Sequence, residues 1–231
     1  MKNILETTPY SHLEEKVKFL DVLFEEKDFK NKVVLDVGCG FGTLLIYALR
    51  KGAKTAYGIE ISEEDLKTAK KYIKDEKIKL FQGSATHLPF EDNFFDTVVN
   101  TEVLEHIPID TENMMFSEIS RVLKKDGVVY LTTPYDSFWS KYTDPAFYLQ
   151  GHRHYSLSKV RNYAENNKLK VEILKPLNGF WELLHLYNLY ISKWVFRRER
   201  FFLDHFSKKR IEELKNQSKG FMILFLKAIK N

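Results

Sequence analysis

The chain has 231 residues, 44% hydrophobic and 29% charged, with a formal net charge of +4. That length suits one large domain, or one domain with an insertion, and the composition excludes wholesale disorder and low-complexity fibre. Its one cysteine, Cys39, excludes an intramolecular disulfide and a cysteine-based zinc site; with no apolar secretion run in Met1-Lys2-Asn3-Ile4-Leu5-Glu6, a reducing, cytoplasmic compartment is expected.

Residues 12–27 carry Leu13, Val17, Leu20, Leu23 and Phe24 at spacings of three and four, the pattern of an amphipathic helix. The run Lys32-Val33-Val34-Leu35-Asp36-Val37 is apolar on both faces, as a central parallel strand is, and stops at Gly38-Cys39-Gly40-Phe41-Gly42. Helical periodicity follows through Leu44, Leu45, Tyr47, Ala48 and Leu49 to Gly52, and Thr55–Ile61 reads as a second strand. Ser62 and the acids after it cap a helix reaching about Lys74. Strands are predicted near Ile78–Gln82, Phe95–Asn100 and Val128–Thr133, with a helix near Thr111–Leu123. A helix from Ser156 to about Asn167, a strand near Leu169–Leu177 and a terminal strand over Phe221–Ile229 complete the pattern.

Strands alternating with helices imply an α/β fold with a mostly parallel, doubly wound sheet covered on both faces. The expected division is an N-terminal helical segment over 1–30, a core over 31–178, a helical insertion over 179–219 and the last strand over 220–231. Residues 179–231 hold 11 basic and 5 acidic side chains, so the basic excess sits in the tail.

In such a sheet ligands bind at the carboxyl ends of strands, which directs attention to the first loop. Gly38, Gly40 and Gly42 let backbone amides approach a ligand and adopt positive φ. The spacing G-x-G-x-G lacks the third glycine of the dinucleotide fingerprint. Asp36, two residues before Gly38, would repel a pyrophosphate but attract a cation, and Glu60 at the end of the second strand can accept from both hydroxyls of a ribose. Together they suit a nucleoside that carries an ammonium group. The bland alternatives are a surface or capping role for Glu60 and loop stabilisation by Asp36.

Val34-Leu35-Asp36-Val37-Gly38-Cys39-Gly40-Phe41-Gly42 resembles the first motif of the class I S-adenosylmethionine-dependent methyltransferases, and Gly58-Ile59-Glu60-Ile61-Ser62 the second. Gly83–Phe90 with Phe94–Val99 is similar to the third, Thr101-Glu102-Val103-Leu104-Glu105-His106-Ile107 to the segment after the fourth strand, and Leu123–Val128 to the turn into the fifth. The resemblance covers roughly residues 30–177 and implies a seven-stranded Rossmann-like sheet with S-adenosylmethionine as cofactor. It places Asp36, Gly38, Cys39, Gly40 and Gly42 around the methionine part of the cofactor, Glu60 on the ribose and Ile61 against the adenine. Ser84 and Ala85 would face the adenine edge and Thr101 the sulfonium side. Ser84 stands where the family commonly has an acid, so that contact loses charge assistance.

Methyl transfer from a sulfonium is an in-line displacement in which alignment supplies up to about 7–11 kcal/mol, and a dry pocket excludes competing water. A hydroxyl or ring-carbon acceptor must also lose a proton. Candidates for that base are His106, His152, His154 and Tyr135, set against a purely structural role for each. Gly151-His152-Arg153-His154-Tyr155-Ser156 resembles a segment of the ubiquinone-biosynthesis-like subgroup; no metal is expected there, because no neighbouring acid or cysteine completes a ligand set.

From Phe180 to Phe206 the insertion is crowded with aromatics, and Arg197-Arg198-Glu199-Arg200 adds basic charge. Three readings stay open: a lid and homodimer contact, an apolar acceptor pocket, or a helix lying on an anionic membrane surface through 180–200. Nucleic acid is disfavoured, since the cations are few and no recognition motif is present. The expected activity is methylation of a small or lipid-like acceptor, at oxygen by family analogy. The alternatives are carbon or nitrogen methylation, and an inactive cofactor-binding module that works through its aromatic insertion. The expected location is the cytoplasm, including the inner face of the membrane.

Overall fold

The computed structural model describes residues 13–197, 201–216 and 220–231. Seven strands, β1 (Val33–Val37), β2 (Thr55–Glu60), β3 (Ile78–Gln82), β4 (Phe95–Thr101), β5 (Leu123–Pro134), β6 (Leu169–Leu177) and β7 (Ile223–Lys230), form one sheet in the order β3-β2-β1-β4-β5-β7-β6. The pairs from β3 to β5 are parallel, and β7 runs antiparallel between β5 and β6. Nine α-helices are described: α1 (Leu13–Leu23), α2 (Thr43–Arg50), α3 (Glu63–Tyr72), α4 (Glu112–Val122), α5 (Phe138–Thr143), α6 (Pro145–Gln150), α7 (Leu157–Asn166), α8 (Phe180–Tyr190) and α9 (Leu203–Lys215). Two differences from the sequence reading stand out. The first helix ends at Leu23 and gives way to a 3-10 turn over Glu26–Asp28, and the short helices α5 and α6 occupy a stretch for which no element was predicted.

Strand alternation sorts the core into two layers. Leu35, Val37, Ile59, Val98 and Leu131 pack with Met115, Phe116 and Ile119 of α4 on one face. Val34, Ala56, Val99 and Tyr130 pack with Leu45, Tyr47 and Ala48 of α2 and with Phe24 and Phe29 on the other. The segment after α1 is pinned to that second face. The Tyr130 hydroxyl donates to Asp28 at 2.6 Å, and the buried Lys227 of β7 pairs with Asp28 at 3.0 Å and with Glu25. Removing Asp28 would leave the buried Lys227 and Tyr130 hydroxyl short of a partner, so this group pins the segment after α1.

The insertion crosses the same face. Its helix α8 runs into a π-helical turn over Ile191–Val195, and α9 packs on both α8 and α1. The Ser207 hydroxyl donates to Glu15 of α1, and the Arg210 guanidinium lies 4.9 Å from the Phe19 ring centre. Helices α1 and α9 thus roof the carboxyl ends of the central strands. Of the expected basic run only Arg197 is described; Arg198, Glu199 and Arg200 lie outside the described residues. Among the described residues no helix is long and apolar enough to cross a membrane.

Candidate active site

Register brings the ends of β1, β2 and β4 together: Val37 pairs with Ile59 on one side and Asn100 on the other. The glycine loop, Glu60 and Thr101 therefore leave the sheet side by side. The Gly38 and Cys39 amides donate to the Ile59 carbonyl at 2.8 and 3.0 Å, which turns the chain sharply off β1. Gly38 has φ +75°, and a Cβ there would meet Val103 Cγ2 at 2.3 Å, so only glycine passes beneath the segment after β4.

Glu60 is buried and holds the loop: its Oε2 accepts from the Gly40 amide at 2.8 Å and its Oε1 from the Ser62 amide at 2.9 Å. Each carboxylate oxygen has a second lone-pair direction, so acceptance from a ligand hydroxyl is still available. Ile61, next along, is 71% exposed and offers an apolar platform. Cys39 is buried, and burial pushes its thiol up, so it is an inert wall. The Ser84 hydroxyl is already within 2.9 Å of the Thr86 hydroxyl and accepts from the Thr86 amide at 3.2 Å, an arrangement that turns it into its own loop.

Asp36 is buried beneath the loop, and its Oδ1 has no hydrogen-bond donor among the described residues. Burial first, and the neighbouring Glu60 charge second, push its carboxyl up to about 8. An orphaned buried carboxylate is costly unless a cation or donor reaches it. Asp36 thus fits the ammonium of a methionine-bearing nucleoside, and the glycine cradle, Glu60 and bare Ile61 fit its nucleoside end.

Three cavities converge here. A cleft of about 290 Å³ is lined by Ile59, Glu60, Ile61, Ser84, Ala85 and His106. A second, of about 320 Å³, lies between α1, α9 and the loop, with Asp36, Cys39, Thr43 and Thr101 on its wall. A third, of about 240 Å³, is walled by Phe19, Leu20, Leu23, Leu177 and Ile223, with Glu182 and Arg210 paired at 2.7 Å among them. Gly38 borders the first two, Thr101 the second and third, and Glu102 the first and third. The junction is therefore Gly38–Thr101–Glu102. Nothing local in the sequence marks Glu102, Phe19 or Arg210 for this place, and Glu182 reads only as one polar position on an otherwise apolar helix; the packing of distant helices brings them together.

The four base candidates separate. His106 borders the 290 Å³ cleft and stands against His152, ring centres 4.5 Å apart at 85°. His154 is turned away: its Nε2 lies 3.1 Å from Asp144 Oδ2 and its Nδ1 3.4 Å from the Ser140 hydroxyl. Tyr135 packs partly buried against the core. The fold also brings Glu105 to His106 and His152, with one ligand-type atom from each residue within 4.8 Å of the others, a proximity that linear spacing concealed.

A family model described as a methyltransferase domain matches residues 35–131. The ubiquinone biosynthesis O-methyltransferase of Pelagibacter ubique (strain HTCC1062) is 30% identical over 118 residues, covering 51% of this chain and 48% of that protein. The phosphoethanolamine N-methyltransferase of Plasmodium falciparum (isolate 3D7) is 24% identical over 190 residues, covering 80% of this chain and 70% of that protein. A solved structure of geranyl diphosphate C-methyltransferase from Streptomyces coelicolor A3(2), in complex with Mg2+, geranyl-S-thiolodiphosphate and S-adenosyl-L-homocysteine, superposes with a TM-score of 0.66 at 16% identity, over 94% of this chain and 76% of that one. That likeness concerns the fold. The chain spans about half the length of the first of these relatives, 48%. The three proteins are named for three different acceptor atoms.

Proposed function

This chain belongs to the class I S-adenosylmethionine-dependent methyltransferases, and we propose that it methylates a small or lipid-like acceptor at oxygen. The observation that carries the reading is the junction at Gly38–Thr101–Glu102, where the cleft lined by Glu60 and Ile61 and the Asp36 cavity meet a cavity walled by Phe19, Leu20 and Leu23. Bound there, S-adenosylmethionine supplies an electrophilic methyl on a sulfonium. The protein's part is to orient: Asp36 anchors the ammonium end, Glu60 and the loop amides hold the nucleoside, and the roof of α1 and α9 keeps water from the line of transfer.

Apolar walls with a few polar groups suit an acceptor with a hydrocarbon or aromatic body. Oxygen is favoured by the O-methyltransferase relative and by a carboxyl standing at the junction to receive a proton. A lipid-like acceptor is supported by the exposed Ile191, Trp194, Val195 and Phe196 at the end of α8, which suit the surface of an anionic bilayer. The test is mass spectrometry of a cell extract incubated with the protein and deuterated-methyl S-adenosylmethionine. A product heavier by one labelled methyl is expected, and its fragmentation identifies the acceptor atom. Cofactor binding with no labelled product from any extract would favour a binding module instead.

A further inference from the structure

We infer that Arg210 of α9 binds the carboxylate at the methionine end of S-adenosylmethionine, so that the aromatic insertion completes the cofactor site. The inference rests on the cofactor lying in the Asp36 cavity, as proposed above, and names the partner of a charge which that reading leaves unmatched.

The amino-acid end of the cofactor is a zwitterion, and its two poles need opposite partners. The cavity of about 320 Å³ carries both signs on its wall: Asp36 and Glu15 are acids, Lys16 and Arg210 cations. Each acid leaves one buried oxygen without a donor among the described residues, Oδ1 of Asp36 and Oε2 of Glu15. Those two oxygens suit an ammonium and would repel a carboxylate, which must turn toward a cation instead.

The pattern of α9 places Arg210 for that role. Ser207, Arg210, Ile211 and Leu214 fall at i, i+3, i+4 and i+7, one face of the helix, and Ser207 and Leu214 are buried. The Arg210 side chain on this inward face is only 16% exposed, whereas Lys16 stands exposed. A cation so far out of water persists only with partners.

Part of that partnership is in place. The Arg210 Nε donates to Glu182 Oε2 at 2.7 Å, and the same oxygen accepts from Asn178 Nδ2 at 2.5 Å. The Phe19 ring lies against the guanidinium, its centre 4.9 Å from Cζ. The two terminal amino groups donate to nothing among the described residues. In an arginine these groups form the end-on fork, two parallel N–H donors spaced to grip both oxygens of one carboxylate. The guanidinium is thus held from its Nε side by α1 and α8 and left open on the side that reads a carboxylate.

Arg210 also borders the cavity walled by Leu23 and Leu177, where the acceptor is placed. That wall carries Glu102 and Glu182, and nothing on an anionic acceptor would answer them. In the Asp36 cavity the ligand's own ammonium answers the acids, so the carboxylate that fits is the cofactor's.

The test is titration calorimetry with S-adenosylmethionine and with its decarboxylated form, which keeps the sulfonium and the amine. The unaltered protein should bind the decarboxylated form about 10- to 100-fold more weakly, as expected for a lost charged hydrogen-bond partner. Arg210→Gln should lose S-adenosylmethionine affinity by the same factor and bind the two compounds alike. Arg210→Lys, which keeps the charge but not the fork, should fall between. A purely structural role would lower both affinities together and leave their ratio unchanged, which would overturn the assignment. Equal affinity of the unaltered protein for both compounds would overturn it without any variant. Full discrimination by Arg210→Gln, with labelled product formed more slowly, would overturn it too and give the guanidinium to the acceptor. Each of these failures leaves the cofactor reading standing; an unaltered protein that binds neither compound would bring down both.

Discussion

The Gly40 amide donates to Oε2 of Glu60 across 2.8 Å, which ties the tip of the glycine loop to the end of the neighbouring strand. One carboxylate thereby shapes the loop and lines the cleft beside Ile61. Glu60→Ala strands the Gly40 and Ser62 amides and removes the proposed ribose acceptor, a loss of about 1–3 kcal/mol from the amides alone. Affinity for S-adenosylmethionine is expected to fall roughly 10- to 100-fold by titration calorimetry. Glu60→Gln, which keeps one accepting oxygen, should fall between the two. Equal affinity in all three proteins would remove Glu60 from the site.

As the proposed partner of the ligand's ammonium, Asp36 should make cofactor binding depend on pH. Its carboxyl titrates at about 8 because it is buried beside Glu60, so the free protein keeps a proton there at neutral pH. A cationic ligand selects the ionised form, so binding expels that proton, and affinity should climb with pH up to about 8 and then level. The folded state holds the proton more tightly than the unfolded chain does. Its stabilising contribution is therefore complete in acid and is lost as pH rises through about 8. Asp36→Asn should melt higher than the parent in mildly alkaline buffer without ligand, yet bind the cofactor on the order of 10²-fold more weakly, the cost of about 3 kcal/mol expected for a lost buried charge partner. A flat affinity profile would show that Asp36 is not the cation's partner.

What could be read from the sequence follows how local each signal is. The apolar run of β1, the glycines after it and Glu60 at the end of β2 sit in short stretches whose chemistry is self-contained, so the strands and the loop that Glu60 holds were legible together. The antiparallel wedging of β7 between β5 and β6 was not, because period-two patterning carries no direction. Nor was the roof over the site. Arg210 meets Phe19 and Glu182 only after α9 folds across α1, and no spacing rule links positions so far apart. His154 looked equivalent to His152 in its motif, yet Asp144 of the short α5–α6 stretch claims it.

Two glycines of the cradle should respond differently to the same change. Both have positive φ, +75° at Gly38 and +49° at Gly40, so alanine at either costs about 1–2 kcal/mol in backbone strain. At Gly40 a Cβ meets nothing within 4 Å, whereas at Gly38 it would press on the stiff, branched Val103 at 2.3 Å. Gly38→Ala is therefore expected to lose a further 1–3 kcal/mol or so and to displace the segment carrying Glu102. Thermal unfolding should rank the unaltered protein first, Gly40→Ala second and Gly38→Ala last. Restoration of Gly38→Ala by a second change, Val103→Ala, would localise the clash, and its failure would place the strain elsewhere.

The proposed membrane contact would rest on apolar area and on charge, and the two can be separated. Trp194, Val195 and Phe196 are exposed where the π-helical turn over Ile191–Val195 ends, and Arg197 is exposed directly after them. Apolar side chains anchor a peripheral helix independently of salt, whereas each cation near an anionic surface adds about 1 kcal/mol that salt screens. The protein should float with anionic liposomes at low salt, and much less at high salt or with neutral lipid. Replacing Arg197, Arg198 and Arg200 with Ala should weaken binding about fivefold per cation, given about 1 kcal/mol each. Trp194→Ser with Phe196→Ser should reduce what remains at high salt. No flotation at low salt would remove the bilayer as the partner of this surface and leave the exposed aromatics to a second protein copy, a difference that sedimentation equilibrium would then register.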